Sequence, residues 1–240
     1  MLAVMGALDE EVAHLRDDMK ITDETEHAGI QVTHGSFKNV DIVLAKSGIG
    51  KANATICTQM LIDLYKPTSM LFSGVAGGLL PNMRVGDVVV ASHLIQYDMD
   101  LTAFGRRHGE LPGRDRLIEC DPVMVQEAGS SFDTAFPDPG VGPNLMLGTI
   151  ASGDRFIQDQ KTLRWLQREF SALATEMEGA AFGYTCHLNE VPFVVIRGLS
   201  DTADQNASDD FSANLHIVSL NMYPYLERLI PALGANIDSN

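Results

Sequence analysis

The pattern of apolar and polar positions predicts an alternation of buried strands and helices. Short apolar runs at 2–7, 69–73 and 192–199 are bounded by polar or glycine-rich segments, as buried strands are. The stretches 51–66 and 210–233 have the length and end signals of helices, and Pro67 stops the first of them. Further strands are predicted at 30–36, 40–47, 85–92 and 147–152, and further helices at 121–136, 160–170 and 177–188.

Strands that alternate with helices are typical of an α/β fold with a parallel or mixed sheet. The chain has 240 residues, and it contains no internal repeat, low-complexity tract or clear domain boundary. We therefore predict a three-layer α/β sandwich, with a central mixed sheet flanked by helices, in a single domain that spans residues 1–240.

The charge balance restricts the classes of partner. The chain carries 32 acidic and 17 basic residues, for a net charge of −15. Because an acidic surface repels phosphate backbones and anionic lipids, we expect no nucleic-acid partner and no membrane partner. The N-terminal apolar run lacks a basic leader, and no run reaches the roughly 20 apolar residues of a membrane span, so a cytoplasmic location is predicted.

Neither cysteines nor histidines suggest a metal or a disulfide framework. Cys57, Cys120 and Cys186 are widely spaced, which favours three reduced thiols. The seven histidines show no paired metal-binding spacing, so we predict no metal site. A dinucleotide fingerprint and a P-loop are also missing from the sequence, so we predict no cofactor.

Chemically active residues follow several predicted strands. Ligands in open α/β sheets bind beyond the carboxyl ends of the strands. Glu11 follows the first strand, the glycine run 74–78 follows the strand at 69–73, and Ser200 and Asp201 follow the strand at 192–199. Together with the Glu-Met-Glu segment at 176–178, these residues are expected to meet in one cleft.

Each of these features also has a purely structural interpretation. Glu11 at a helix start could simply compensate the helix dipole, and Glu176 and Glu178 could form a solvated helix start. The glycines at 74–78 favour either close approach to a ligand or tight packing. Arg197 lies inside a buried strand and must find a partner carboxylate, so a local ionic site is predicted.

Read together, these segments resemble the nucleoside phosphorylase/hydrolase superfamily, and more closely the bacterial methylthioadenosine/S-adenosylhomocysteine nucleosidases. The resemblance extends in order over nearly the whole chain and implies a nucleoside phosphorylase-like fold. It rests on GALDEEV (6–12), SGIGK (47–51), SGVAGGL (73–79), VGD (85–87), TAFG (102–105), SGDRFI (152–157), EMEGA (176–180) and RGLSDTAD (197–204).

The resemblance implies hydrolysis of an N-glycosidic bond in a small adenine nucleoside. Glu11 would be the base that activates water, and Asp201 would protonate the departing purine. Such a reaction builds positive charge on the ribose and negative charge on the base, so two carboxyl groups with opposite protonation states suit it. The implied substrate-binding residues are Val75, Phe156, Ile157, Glu176, Met177, Glu178, Arg197, Ser200 and Phe211.

By the same resemblance the protein would be a homodimer. The partner subunit would close the alkylthio end of the pocket with Ile49, Phe104 and Pro112. Two positions depart from the family pattern: Val75 stands where many relatives carry serine, and Arg155, beside the implied adenine pocket, stands where small residues are common. Both departures bear on preference among substrates that differ at the ribose 5′ position.

Three other functions stay open at this stage. A phosphorolytic enzyme of the same superfamily would need several cations around phosphate, which the glycine run lacks. An aminodeoxyfutalosine nucleosidase is compatible with the same motifs. A nucleoside-binding module without catalysis would be expected to lack Glu11 or Asp201, and this chain has both.

Overall fold

The computed structural model describes residues 1–138, 140–203 and 207–237, and this part of the chain forms ten strands and six α-helices. The strands are β1 (Leu2–Gly6), β2 (Lys20–His27), β3 (Ile30–Phe37), β4 (Val40–Lys46), β5 (Ser69–Gly78), β6 (Val88–Gln96), β7 (Ile118–Glu119), β8 (Leu145–Ser152), β9 (Ala172–Glu176) and β10 (Phe193–Asp201). The helices are α1 (Asp9–Asp17), α2 (Lys51–Tyr65), α3 (Pro122–Ala135), α4 (Gln160–Phe170), α5 (Gly179–Leu188) and α6 (Ala207–Ile237).

The strands form one mixed sheet in the order β10-β6-β8-β9-β5-β1-β4-β3-β2, and β7 pairs with β6. β1 lies parallel to β4 and β5, whereas β3 lies antiparallel to its neighbours. β10 also pairs in parallel with β5. The strands β10, β6, β8, β9 and β5 therefore form a closed ring. This pairing places Asp201 opposite Gly77, at the edge where β1 also ends.

Helices cover both faces of the sheet, and the predicted central mixed sheet flanked by helices is confirmed. On one face α2 and α5 pack over a core in which the rings of Phe72 and Phe182 lie 5.2 Å apart. On the other face α1, α3 and α6 pack around Tyr225 and Phe132. Each large apolar side chain buried in this way contributes about 1.5–3 kcal/mol to folding.

The structure adds three strands to the sequence-based elements and shifts several boundaries; β6, predicted at 85–92, spans Val88–Gln96, and α6, predicted at 210–233, spans Ala207–Ile237. β2, β7 and β9 are not predicted by the hydrophobic pattern. β2 has the polar sequence KITDETEH and is mostly exposed at the sheet edge, where backbone pairing with β3 defines it. β5 continues to Gly78 instead of ending at Ser73, because β10 and β9 pair with its glycines.

Candidate active site

A cavity of about 390 Å³ lies where the carboxyl ends of β1, β5, β9 and β10 meet. The structure brings together at this cavity most of the residues that the sequence singled out. They are Glu11, Ile49, Val75, Phe156, Ile157, Glu176, Met177, Glu178, Ser200, Asp201 and Phe211.

A larger and more open cleft, of about 1130 Å³, lies elsewhere on the molecule. Its wall mixes arginines, histidines and carboxylates, such as Arg116, His187 and Glu119, and contains none of the residues predicted for the site. Size alone is therefore a poor guide here, and the smaller cavity is the better candidate because several carboxyl groups converge on it.

The carboxylate of Glu11 is fixed by the backbone. One oxygen accepts hydrogen bonds from the N–H groups of Ala7 at 2.6 Å and Leu8 at 3.0 Å, and the other accepts from Val75 N–H at 2.8 Å. Burial raises the pKa of the Glu11 carboxyl, and the charge of Arg197 and the three N–H donors offset part of that rise. A rigidly held carboxylate with a raised pKa is a good proton acceptor.

Arg197 is fully buried and lies at the centre of a carboxylate cluster. Its guanidinium carbon lies 4.3 Å from the ring centre of Phe72. Its Nη2 atom is hydrogen-bonded to Glu176 and lies 3.8 Å from an oxygen of Glu178. The prediction that this buried arginine has a partner carboxylate is therefore confirmed, and Glu11 adds a third negative charge to its surroundings.

Glu176 and Glu178 differ in their hydrogen-bond partners. The oxygens of Glu176 accept from the Ser152 hydroxyl and, at 2.7 Å, from Gly179 N–H, in addition to Arg197. Glu178 accepts from Gly50 N–H at 2.8 Å. Burial, followed by the charge of Glu176, raises the pKa of Glu178 to about 7.

The interpretation of Glu176 and Glu178 as a solvated helix start is wrong, since they are only 7% and 6% exposed. Both acids lie close to the cation of Arg197, and Glu178 also accepts a backbone hydrogen bond. These interactions explain why two acids only one residue apart are tolerated inside the protein. Glu176 is largely engaged by the protein itself, and Glu178 has more capacity left for a ligand.

Gly74 makes room for protein side chains and not for a ligand. A Cβ at this position would lie 2.0 Å from Nη1 of Arg197 and 2.6 Å from Oε1 of Glu11. Packing is therefore the correct interpretation here. Gly77 is different, because it lines the cavity and a Cβ there would lie 2.7 Å from Oδ1 of Asp201.

Asp201 lines the cavity and is 2% exposed. Its Oδ2 atom accepts a hydrogen bond of 2.8 Å from the Ser200 hydroxyl, and Oδ1 accepts one of 2.9 Å from Ala203 N–H. Asn214 of α6 donates to the Ser200 carbonyl at 3.1 Å. The motif residue Asp204 lies outside the described residues.

Aromatic side chains form part of the cavity wall. The rings of Phe156 and Phe211 meet edge to face with their centres 5.7 Å apart, and Phe156 is 39% exposed. Ile157 is buried beside them, and Met177 lies in the wall next to Glu178. An apolar wall with a few polar groups suits a flat, partly polar ligand such as a purine.

Of the three residues assigned to a partner subunit, one lines the cavity of its own chain and two do not. Ile49 lines the cavity of its own chain, so its assignment to the wall of a neighbouring subunit is corrected. The turn that carries it is held at this cavity by the hydrogen bond from Gly50 N–H to Glu178. Phe104 is 82% exposed, Pro112 is exposed too, and neither lines this cavity.

Several residues that shape the site have no role predicted from the sequence. Ser152 holds Glu176, and Asp154 accepts a hydrogen bond of 2.8 Å from Lys51 N–H, which ties the start of α2 to the cavity rim. Thr175 lines the cavity, and its buried hydroxyl has no hydrogen-bond partner among the residues that the structure describes. Ser152 and Asp154 belong to the SGDRFI segment, which was the available signal.

The part of the chain that the structure describes contains neither a metal-binding cluster nor a membrane-spanning helix. In the ranges 1–138, 140–203 and 207–237, no group of three or more histidine, cysteine or acidic side chains has a metal-binding arrangement. Within the same ranges, no helix combines the length and apolar character needed to cross a bilayer.

Comparison with known families agrees with the class of protein that the fold and cavity define. The sequence model of the phosphorylase superfamily matches residues 1–231. Among curated proteins, the 5′-methylthioadenosine/S-adenosylhomocysteine nucleosidase of Geobacillus kaustophilus (strain HTA426) is 40% identical over 213 residues, which covers 87% of each chain. The protein of the same name from Bacillus subtilis (strain 168) is 39% identical over 214 residues, or 88% of this chain and 89% of that one.

Solved structures give the same result. A 5′-methylthioadenosine/S-adenosylhomocysteine nucleosidase from Neisseria meningitidis, in complex with methylthio-immucillin-A, superposes with a TM-score of 0.90 at 32% identity and covers 95% of this chain and 97% of its own. A futalosine hydrolase of Helicobacter pylori strain 26695 has a TM-score of 0.90 at 31% identity, with 96% and 97% covered. The chain thus belongs to the 5′-methylthioadenosine/S-adenosylhomocysteine nucleosidase family of the phosphorylase superfamily.

Proposed function

We propose that this chain hydrolyses the N-glycosidic bond of 5′-methylthioadenosine and S-adenosylhomocysteine, which releases adenine and the thioribose product. The observation that carries this proposal is the pair of carboxyl groups, Glu11 and Asp201, that face one cavity from different surroundings. Three backbone N–H groups hold Glu11, whereas the Ser200 hydroxyl and Ala203 N–H are among the donors to Asp201.

In this mechanism Glu11 accepts a proton from water, which attacks the anomeric carbon of the ribose. Asp201 gives its proton to the purine as the bond breaks, and the Ser200 hydroxyl orients it. Glu178 binds the ribose hydroxyls and Met177 packs on the sugar. Each such acid or base typically contributes about 10²–10⁴ in rate.

The remaining site residues bind the base and order the carboxylates. Phe156 stacks on adenine, the Ile157 backbone reads its edge, and Phe211 covers the substrate. Arg197 orders the carboxylates of Glu11, Glu176 and Glu178. Val75 contributes its N–H to Glu11 and an apolar side chain to the wall.

Charge at the cavity favours water over phosphate as the nucleophile. The described lining contains four carboxylates, and Arg155 is its only lysine or arginine. Arg197 is nearby but is engaged by Glu176 and Glu178. A phosphate ion would meet net repulsion in this setting, since phosphorolysis needs several cations around the anion.

The test is adenine release from methylthioadenosine by the purified protein, with and without phosphate. We expect release without phosphate, and a loss of about 10²–10⁴ in kcat/KM for Glu11→Gln and for Asp201→Asn. Adenine that appears only with phosphate would place the protein among the phosphorylases. Full activity of either variant would remove that residue from its proposed role.

A second candidate substrate is aminodeoxyfutalosine. It is favoured by the likeness to the Helicobacter pylori structure named as a futalosine hydrolase, which matches this chain as well as the nucleosidase structures do. Adenine release from aminodeoxyfutalosine under the same conditions tests this activity, and a kcat/KM below one hundredth of that for methylthioadenosine would exclude it as a main substrate.

We further propose a cytoplasmic homodimer, built from single-domain subunits, that acts in methionine salvage. The exposed apolar side chains of Phe104 and of Ile56 on α2 support an interface, and the three buried, unpaired cysteines suit a reducing compartment. One sheet that extends from residue 2 to residue 201 supports a single domain. Sedimentation of Phe104→Ser tests the interface: the variant should shift toward monomer and lose activity.

A further inference from the structure

Two consecutive N–H groups at the start of α2 each bind a carboxylate from another segment. Gly50 is the N-cap of α2, and its N–H donates to Oε1 of Glu178 at 2.8 Å. The next N–H, that of Lys51, donates to Oδ1 of Asp154 at 2.8 Å. Such groups have no partner inside the helix and lie at the positive end of its dipole, which favours both bonds. Because the two donors are consecutive, the bond that holds Lys51 N–H also restricts Gly50 N–H.

Asp98 closes this contact into a ring of three residues. Its Oδ2 atom accepts from Asp154 N–H at 3.0 Å, and its Oδ1 atom accepts from Lys51 Nζ at 2.6 Å. The side chains of Lys51 and Asp98 are 18% and 29% exposed, so solvent screens their ion pair only in part. Lys51, Asp98 and Asp154 thus form a rim clamp, which joins the start of α2 to the segments that follow β6 and β8.

The turn that carries Gly50 depends on such outside contacts. Gly48 and Gly50 have φ angles of +81° and +98°, and two glycines so close together make a chain segment flexible. A Cβ on Gly50 would lie 3.1 Å from Oδ1 of Asp154, so the carboxylate packs directly against the turn. Nδ2 of Asn53 donates to the Ile49 carbonyl at 2.7 Å and ties the turn to α2 independently of the clamp. Removal of the Asp154 carboxylate should therefore loosen the turn without unfolding it.

The Gly50 N–H matters to Glu178 because the other neighbours of this carboxyl have opposing effects. Nη2 of Arg197, on β10, lies 3.8 Å from Oε2 of Glu178 and favours the charged form, whereas Glu176 and Glu11 disfavour it. Burial and the charge of Glu176 raise the pKa of Glu178, and the Gly50 N–H lowers it. A charged carboxylate is also the stronger acceptor for hydroxyl groups.

We propose that Asp154 and Asp98 are positioning residues that hold the Gly50 N–H against Glu178 and so keep this carboxylate charged and oriented toward the ribose hydroxyls. This inference rests on the proposed function. Neither aspartate lines the cavity, so both act on the substrate through the turn at 48–51. Since Glu178 binds the ribose before and during the reaction, a looser clamp should weaken binding and leave the chemical step almost unchanged.

The first experiment compares KM and kcat for methylthioadenosine in the full chain with Asp154→Ala and Asp154→Asn. The alanine variant should raise KM by about two- to tenfold, the range of one hydrogen bond, with little change in kcat. The asparagine variant keeps an oxygen acceptor for Lys51 N–H and should have a KM close to that of the wild type.

Asp121→Ala is the matched control. Asp121 is the N-cap of α3, where its side chain accepts from Val123 N–H at 3.0 Å and Met124 N–H at 2.9 Å, and it does not line the cavity. Its replacement removes a carboxylate from a helix start of the same kind and should leave KM for methylthioadenosine unchanged.

Two further measurements show whether the effect passes through Glu178. In a Glu178→Gln background, Asp154→Ala should raise KM little further, because both changes act on one group. In the free protein, an NMR titration of the side-chain carboxyl carbons gives the pKa of Glu178, with Glu178→Gln used to assign the signal. That pKa should be higher in Asp154→Ala than in the wild type, because the charged form loses support from an N–H donor.

Three results would each overturn the inference while the wild type remains active. They are an unchanged KM in Asp154→Ala, an equal change in Asp121→Ala, and an equal rise in KM in the Glu178→Gln background. Failure of the wild type to release adenine would instead overturn the proposed function. The NMR titration would then decide on the clamp alone, and an unchanged pKa of Glu178 in Asp154→Ala would overturn it.

Discussion

Replacement of Gly74 by alanine tests the packing that holds the acid cluster together. The new Cβ would lie 2.0 Å from Arg197 Nη1, 2.6 Å from Glu11 Oε1 and 2.9 Å from its Cδ. No ordinary contact is that short, so at least one of the two side chains must move. The φ angle of Gly74 lies outside the left-handed region, so the effect is steric and not a backbone penalty.

The magnitude follows from the two side chains involved. Forcing a methyl group into a packed interior costs about 1–3 kcal/mol, which corresponds to a decrease in Tm of about 2–12 °C at 2–4 °C per kcal/mol for a chain of this size. Both side chains are tied in place, Arg197 to Glu176 and Glu11 to three backbone N–H groups, so relief of the overlap displaces the base or the cation beside it. Displacement of the base should lower kcat/KM by about 10²–10⁴.

The assay is adenine release from methylthioadenosine together with thermal unfolding. Gly129→Ala is the matched control: Gly129 lies in α3, nothing lies within 4 Å of its Cβ position, and the change should raise stability by up to about 1 kcal/mol without loss of activity. In a Glu11→Gln background, Gly74→Ala should add little further loss, because the two changes act on one group. Wild-type activity and Tm in Gly74→Ala would refute the reasoning.

Three more predictions concern the same cluster. Arg197→Met should lower the free energy of unfolding by about 3–5 kcal/mol, measured by urea titration, because it leaves Glu176 and Glu178 without their cation. The pKa of Glu178 is raised to about 7, so folding favours the protonated form of this carboxyl. The stability that the protonated carboxyl provides is complete below its unfolded pKa of about 4.3 and is lost as the pH rises through 7. Glu178→Gln should therefore lose less Tm than the wild type between about pH 5 and about pH 8, and an equal loss would contradict the assignment. Ser200→Ala should lower kcat/KM about tenfold with little change in Tm, since it removes the hydroxyl donor to Asp201, and an unchanged rate would show that Asp201 is oriented by other groups.

The sequence predicts the α/β class and most of its elements because long apolar runs and helix end signals are local. It misses β2, since a polar edge strand such as KITDETEH has no hydrophobic alternation and is defined only by pairing with β3. It also ends β5 too early at Ser73, because glycine gives no strand signal and the extension depends on the distant partner β10.

For the site too, features set by local sequence can be predicted, whereas contacts between distant segments cannot. The buried Arg197 requires a carboxylate partner on general grounds, and the sequence alone predicts that partner to be nearby. The hydrogen bond from Gly50 N–H to Glu178, and the space at Gly74 that Arg197 and Glu11 fill, join distant segments and have no local signal. Ile49 is assigned to the partner subunit by resemblance alone, and no local signal shows that its turn lies at the cavity of its own chain.

The pairing of β10 with β5 also sets the order in which a growing chain can become functional. β5 supplies the N–H that holds Glu11, and β10 carries Arg197 and Asp201, so the site depends on two segments far apart in the sequence. Contacts between distant segments form slowly, because a long loop must close before they contribute. A nascent chain that ends before residue 193 therefore lacks both the proton donor and the cation, and the glycine-rich end of β5 has no parallel partner on that side. Activity should thus appear only after synthesis of β10, as one of the last steps of folding.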